Sequence, residues 1–157
     1  MISTNRLRAT LLLALLVILG AGSSALARGQ RGKNFQGEWE WAVYAKSREE
    51  LPPAYRDEPI KNVPGAAVYL KIKQRGNKLT GEYSASRRFL AKLEDGDFDA
   101  IVKGNAAKLE LESGFGGHVT VLLTRQGNRL HWKTIKAEGE SYFPDDVFLH
   151  RVVRRRK

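Results

Sequence analysis

The chain has 157 residues, no cysteine and a formal net charge of +10. The lack of cysteine excludes disulfide staples and the lipid attachment of an envelope lipoprotein. Arg6 and Arg8 supply two of the charges, Arg28, Arg31 and Lys33 three, and Arg154, Arg155, Arg156 and Lys157 four, so residues 34–153 net only +1. A nucleic-acid groove needs cations clustered on the folded body, which argues against specific nucleic-acid binding.

Residues 1–27 have the parts of an export signal. Arg6 and Arg8 form a basic head, Leu11 to Leu19 an apolar signal helix, and Ala25-Leu26-Ala27 a small-x-small cleavage pattern before Arg28. The uncharged run Ala9–Ala27 would rise about 28 Å as a helix, close to a membrane span. Gly20, Gly22, Ser23 and Ser24 dilute its second half, which favours a cleaved signal over an anchor. Leu7 separates the two arginines, so the general secretory route and a periplasmic or secreted location are expected, with cleavage after Ala27. Residues 28–157 then form a single domain flanked by basic tails.

Strand patterning begins at once. Trp39, Trp41 and Val43 share one parity, against Glu38, Glu40 and Ala42. The same period of two predicts strands over 36–45, 66–75, 78–86, 97–103, 107–112, 118–124, 129–136 and 147–153. The segment 46–65 interrupts them, with Pro52, Pro53, Pro59 and Pro64 barring any long helix or strand. Ser47 and Glu50 have the spacing of a capping box for one helical turn. Such a loop is either a lid over a barrel mouth or a surface excursion. Gly76-Asn77, Gly104-Asn105 and Gly127-Asn128 each precede a new alternation, and both residue types tolerate the positive φ of tight hairpins. Eight short antiparallel strands predict an all-β fold, an eight-stranded up-and-down barrel, with a two-sheet β-sandwich as the alternative.

Phe35-Gln36-Gly37-Glu38-Trp39, opening the first strand of an exported chain, resembles the Gly-x-Trp signature of the lipocalin and calycin superfamily. The long connection after the first strand and Arg151 at the end of the last are similar to that group. The resemblance implies a lipocalin-like calyx in which Gly37 permits a close bend, Trp39 plugs the closed end beneath the terminal arginine, and a small apolar ligand is carried. The stretch Gly139–Leu149, including Tyr142-Phe143-Pro144, resembles uncharacterised bacterial secreted barrel proteins.

No catalytic, metal or cofactor constellation emerges. His118, His131 and His150 share the parity opposite the apolar residues and are expected as isolated histidines on the outer face. Asp95, Asp97 and Asp99 have calcium-loop spacing, but Ala100 and Ala106 stand where that loop needs glycine and glutamate, so an acidic turn entering a strand is expected. Ser113-Gly114-Phe115-Gly116-Gly117 has the glycine content of an anion loop but no following helix, and reads as a hairpin tip. Trp39, Trp41, Trp132 and Tyr83 are candidate ligand-binding residues, in an interior expected to be largely filled.

An even number of up-and-down strands returns the chain to its starting pole, so Arg28, Arg31, Lys33, Arg154, Arg155, Arg156 and Lys157 should gather at one rim. Seven cations within about a Debye length suit anionic lipid or an envelope polymer. The sequence thus points to an exported, non-enzymatic binding protein of the bacterial envelope. It would carry a small apolar ligand or, alternatively, act as an interaction module that docks through the basic rim.

Overall fold

The structure, a computed structural model, describes residues 34–153. The signal segment and the cations Arg28, Arg31, Lys33 and Arg154 to Lys157 lie outside the described residues. Eight strands follow one another: β1 Gly37–Tyr44, β2 Pro64–Arg75, β3 Lys78–Arg87, β4 Lys92–Lys103, β5 Ala106–Glu112, β6 His118–Gln126, β7 Arg129–Glu138 and β8 Asp146–Arg151. Each pairs antiparallel with its neighbour in sequence, and β8 pairs with β1 to close a barrel.

The alternation of apolar residues places one face of each strand inside. Phe35, Trp39, Val68, Leu70, Leu79, Leu109, Val121, Leu130, Trp132 and Leu149 belong to one continuous core, each at most 1% exposed. A void able to hold water would raise the accessibility of the side chains that line it. The barrel is therefore packed through most of its length. Along β1 the burial fades: Trp39 is fully enclosed, Trp41 is partly buried against the core, and Val43 is half exposed.

The fourth strand is longer than the apolar pattern predicts. It begins at Lys92, so Asp95, Asp97 and Asp99 form a stripe on the outer face of a strand and not a turn before it. Its inward positions before Phe98 are Glu94 and Gly96, which carry no apolar signal. β8 is shorter than predicted, because Val152 and Val153 fall beyond it.

The closure is uneven. β1 pairs with β2 at eight positions, and β2 with β3 and β3 with β4 at ten each. By contrast, β4 pairs with β5 only through Val102↔Ala107 and Lys103↔Ala106, and β1 with β8 only through Trp39↔Arg151 and Glu40↔His150. Both short ladders lie near one pole, which also carries the three Gly-Asn hairpins. In those hairpins Gly76, Gly104 and Gly127 take φ near +60°, the left-handed region that glycine enters without steric cost.

Candidate functional site

At this hairpin pole, Phe35 and Trp39 are fully buried, and the Trp39 Nε1–H donates to the Phe35 carbonyl at 2.8 Å. Two guanidinium groups cover the indole, Arg125 at 4.6 Å and Arg151 at 5.0 Å from the ring centre. Gly37 has φ +135°, and a Cβ there would meet the Arg151 guanidinium at 3.1 Å, so a side chain would displace the arginine. Arg151 also donates to the Gln36 carbonyl, and Arg129 lies 4.5 Å over the Phe148 ring. Burial and the Arg151 charge push the Arg125 pKa down. Among the described residues no carboxylate lies within ion-pair distance of Arg125, Arg129 or Arg151. The two ends of the described chain meet here: the Phe35 N–H donates to Gln74 Oε1, and the Val152 N–H donates to the Glu38 carbonyl at 2.9 Å.

The opposite pole is stoppered by the connection between β7 and β8. Phe143, 6% exposed, enters the core with its ring 5.6 Å from Tyr83 and 5.9 Å from Trp132. The main chain of this strap is held by side chains from the barrel wall. Arg87 donates to the carbonyls of Tyr142 at 3.1 Å and Phe143 at 3.2 Å, and the Tyr142 N–H donates to Glu94 Oε1. Trp132 Nε1–H and the Thr134 hydroxyl both donate to the Pro144 carbonyl, at 3.0 and 2.8 Å. The 46–65 loop forms three short 3-10 turns. Its hydrogen bonds include the Lys46 N–H donating to Glu50 and Arg48 to the Arg56 carbonyl within the loop, while the Gly65 carbonyl at its end accepts from the Phe89 N–H at 3.3 Å. The ring that enters the mouth thus comes from the strap.

Tyr83 and Trp132 flank one ring, while Trp39 belongs to the far pole and Trp41 to the fading edge of the core, so the four aromatic candidates do not line one pocket. The Ser113–Gly117 tip uses the N–H groups of Ser113, Phe115 and Gly116 on its own oxygens.

The histidines lie on the outer face, but two of them have acidic neighbours. His131 Nε2 is 2.6 Å from Asp146, and its ring stacks on Phe148. His118 sits between Glu112 at 2.9 Å and Glu110 at 3.0 Å, because β5 and β6 bring residues 110, 112, 118 and 120 together in register. Hydrogen bonds to Glu112 and Glu110 raise the His118 pKa. Those from Lys108, Thr120 and His118 hold Glu110 at about 2. Stability contributed by His118 is therefore complete below its unfolded value of 6.5 and lost as pH rises through the higher folded value. That from Glu110 is present above 4.5 and lost only as pH falls toward about 2. Comparing urea midpoints of the wild type and His118→Gln, the wild-type advantage should shrink as pH climbs above 6.5. An advantage independent of pH would contradict this assignment.

Among the described residues no group of three His, Cys, Asp or Glu side chains is gathered to hold a metal ion. The fold and these two poles define an eight-stranded closed antiparallel β-barrel, stoppered at one end and arginine-capped at the other. Comparison of the chain with protein-family models, with curated proteins and with solved structures returned no match.

Proposed function

We propose that this protein is an exported, non-enzymatic binding barrel of the bacterial envelope, lipocalin-like in architecture, that docks on an anionic envelope surface through its arginine-capped pole. The carrying observation is the group Arg125, Arg129 and Arg151, which has no carboxylate partner among the described residues and stands where the first and last described residues come together. Phe35 and Val152, close in sequence to the basic segments 28–33 and 154–157, are both anchored at this pole. Cations that no carboxylate neutralises keep their attraction for phosphate, and the seven further cations in the sequence before Asn34 and after Val153 add to it.

Residues 28–157 should sediment with vesicles containing an anionic phospholipid and not with purely zwitterionic ones. Retention should fall steeply with salt and disappear when Arg154–Lys157 are deleted. Unchanged retention after that deletion would refute the proposal.

Carriage of a small apolar ligand is the competing reading, favoured by the single ring of Phe143 that separates Tyr83 from Trp132. A ligand entering there must first displace that ring. Quenching of tryptophan emission by micromolar fatty acid supports this reading, and silence across a panel of amphiphiles argues against it.

A further inference from the structure

The strap that stoppers the mouth, residues 139–145 between β7 and β8, carries no ladder pairing. Side chains of the wall hold it instead, each on a polar group that any peptide possesses. Glu94 takes the N–H of residue 142, Arg87 the carbonyls of 142 and 143, and Trp132 with Thr134 the carbonyl of 144. One side chain enters the aromatic slot, the Phe143 ring beside Tyr83 and Trp132. The half-buried Tyr142 ring packs edge-on against Phe115, with the Lys92 ammonium 5.1 Å from its centre. The inner wall is thus a site for three consecutive residues, selective for an aromatic side chain on the second.

Glu94 is where the strap fits this site least. It is 2% exposed, its Oε1 accepts the Tyr142 N–H, and its Oε2 has no partner. No cation lies within ion-pair distance of it among the described residues, and Arg87 gives its donors to strap carbonyls. Its charge reaches into the slot, where burial and then Glu94 raise the Tyr83 pKa. A buried carboxylate with one oxygen unmatched costs free energy that a better donor would restore. An amide N–H has a single proton to give, whereas an ammonium group has three and a positive charge.

We infer that the mouth is a receptor for the N-terminus of a peptide with a free α-amino group and an aromatic second residue, and that the strap is its resident competitor. The α-ammonium takes the place of the Tyr142 N–H and bonds both Glu94 oxygens. The first and second carbonyls go to Arg87, the third to Trp132 and Thr134, and the second side chain fills the slot that Phe143 leaves. Proline suits the third position, as Pro144 does in the strap, because it brings no N–H that needs a partner. Residues 142–144 must swing out first, and their covalent tether gives them a high effective concentration that keeps the peptide's affinity modest. The inference does not rest on docking through the arginine-capped pole. It shares the mouth with the apolar-ligand reading but requires a cationic head that a fatty acid lacks.

The probe is the tripeptide amide Tyr-Phe-Pro with a free amino group, which copies the strap and adds the ammonium. Titrated calorimetrically into residues 28–157, it should bind saturably and one to one. Its N-acetyl form should bind at least tenfold more weakly. Glu94→Gln keeps an acceptor for the first nitrogen but no charge, and should erase that preference while near-ultraviolet circular dichroism shows the fold retained. Phe143→Ala loosens the competitor and should bind the probe at least tenfold tighter than wild type. Should the alanine variant not stay folded, Phe143→Leu should shift affinity in the same direction. Absence of binding to the wild type and to both Phe143 variants, equal affinity for the acetylated peptide, or a preference that survives Glu94→Gln would each overturn the inference. Quenching by fatty acid without peptide binding would also overturn it and leave the apolar-ligand reading. Vesicle retention, set at the far pole, is independent of every one of these results.

Discussion

Replacing Phe143 with alanine is expected to cost about 3–5 kcal/mol, because the ring is nearly enclosed and the site cannot collapse. The strap that carries it is tied by five hydrogen bonds to side chains of the wall: two from Arg87 and one each involving Glu94, Trp132 and Thr134. Those ties should keep the strap in place and leave the cavity unfilled. The melting temperature should fall by about 10–20 °C for a domain of this size. Trp132, 5.9 Å from the lost ring, should show red-shifted emission. Phe143→Leu, which keeps most of the volume, should cost about 1 kcal/mol. An alanine variant within about 1 kcal/mol of wild type by urea denaturation would mean that the ring is not the stopper of the mouth.

Trp39→Ala is expected to be at least as damaging, again about 3–5 kcal/mol from lost volume. Two stacked guanidinium groups would also lose their ring, worth about 0.5–1 kcal/mol each at accessible sites. Trp39→Phe separates volume from polarity. It keeps an aromatic ring under Arg125 and Arg151 but removes the donor to the Phe35 carbonyl, a buried acceptor whose loss costs about 1–3 kcal/mol. Denaturant midpoints should therefore rank wild type, phenylalanine, alanine. Equal midpoints for the two variants would show that the indole N–H, and not the ring, holds the pole shut.

The two poles differ in how much side chains contribute to closure. At the hairpin pole the main chain closes the barrel through the two short ladders, and the Gly37–Trp39–Arg151 packing seals what they leave. Toward the other pole β4 and β5 share no ladder pairing, and side chains take over: Tyr83 on the Glu112 carbonyl, Arg87 and Glu94 on the strap, Phe143 in the mouth.

Most of the strand order was legible in the sequence, because alternation of period two survives wherever one face is apolar. Trp39, Val68, Leu109 and Trp132 announce their strands for that reason. The first half of β4 was not legible. Its inward positions are Glu94 and Gly96, one held through Oε1 by a strap 48 residues away and the other left bare for a tyrosine ring. Neither reason is visible in a local window. The pairing of His118 with two glutamates was hidden in the same way, since only the β5–β6 register brings residues 110, 112 and 118 together. Arg125 and Arg129, flanking the third hairpin, could have been noticed from that turn, but nothing local places Arg125 on Trp39.

By itself the chain determined eight consecutive antiparallel strands, since hydrophobic period and glycine turns act over a few residues; that they close into a barrel, and not a sandwich, was decided by the pairing of β8 with β1. Only the tertiary structure decided which ring fills the mouth, which carboxylate is buried, and where the wall stays unpaired. Those outcomes depend on contacts between residues far apart in sequence, whose energies no local pattern encodes.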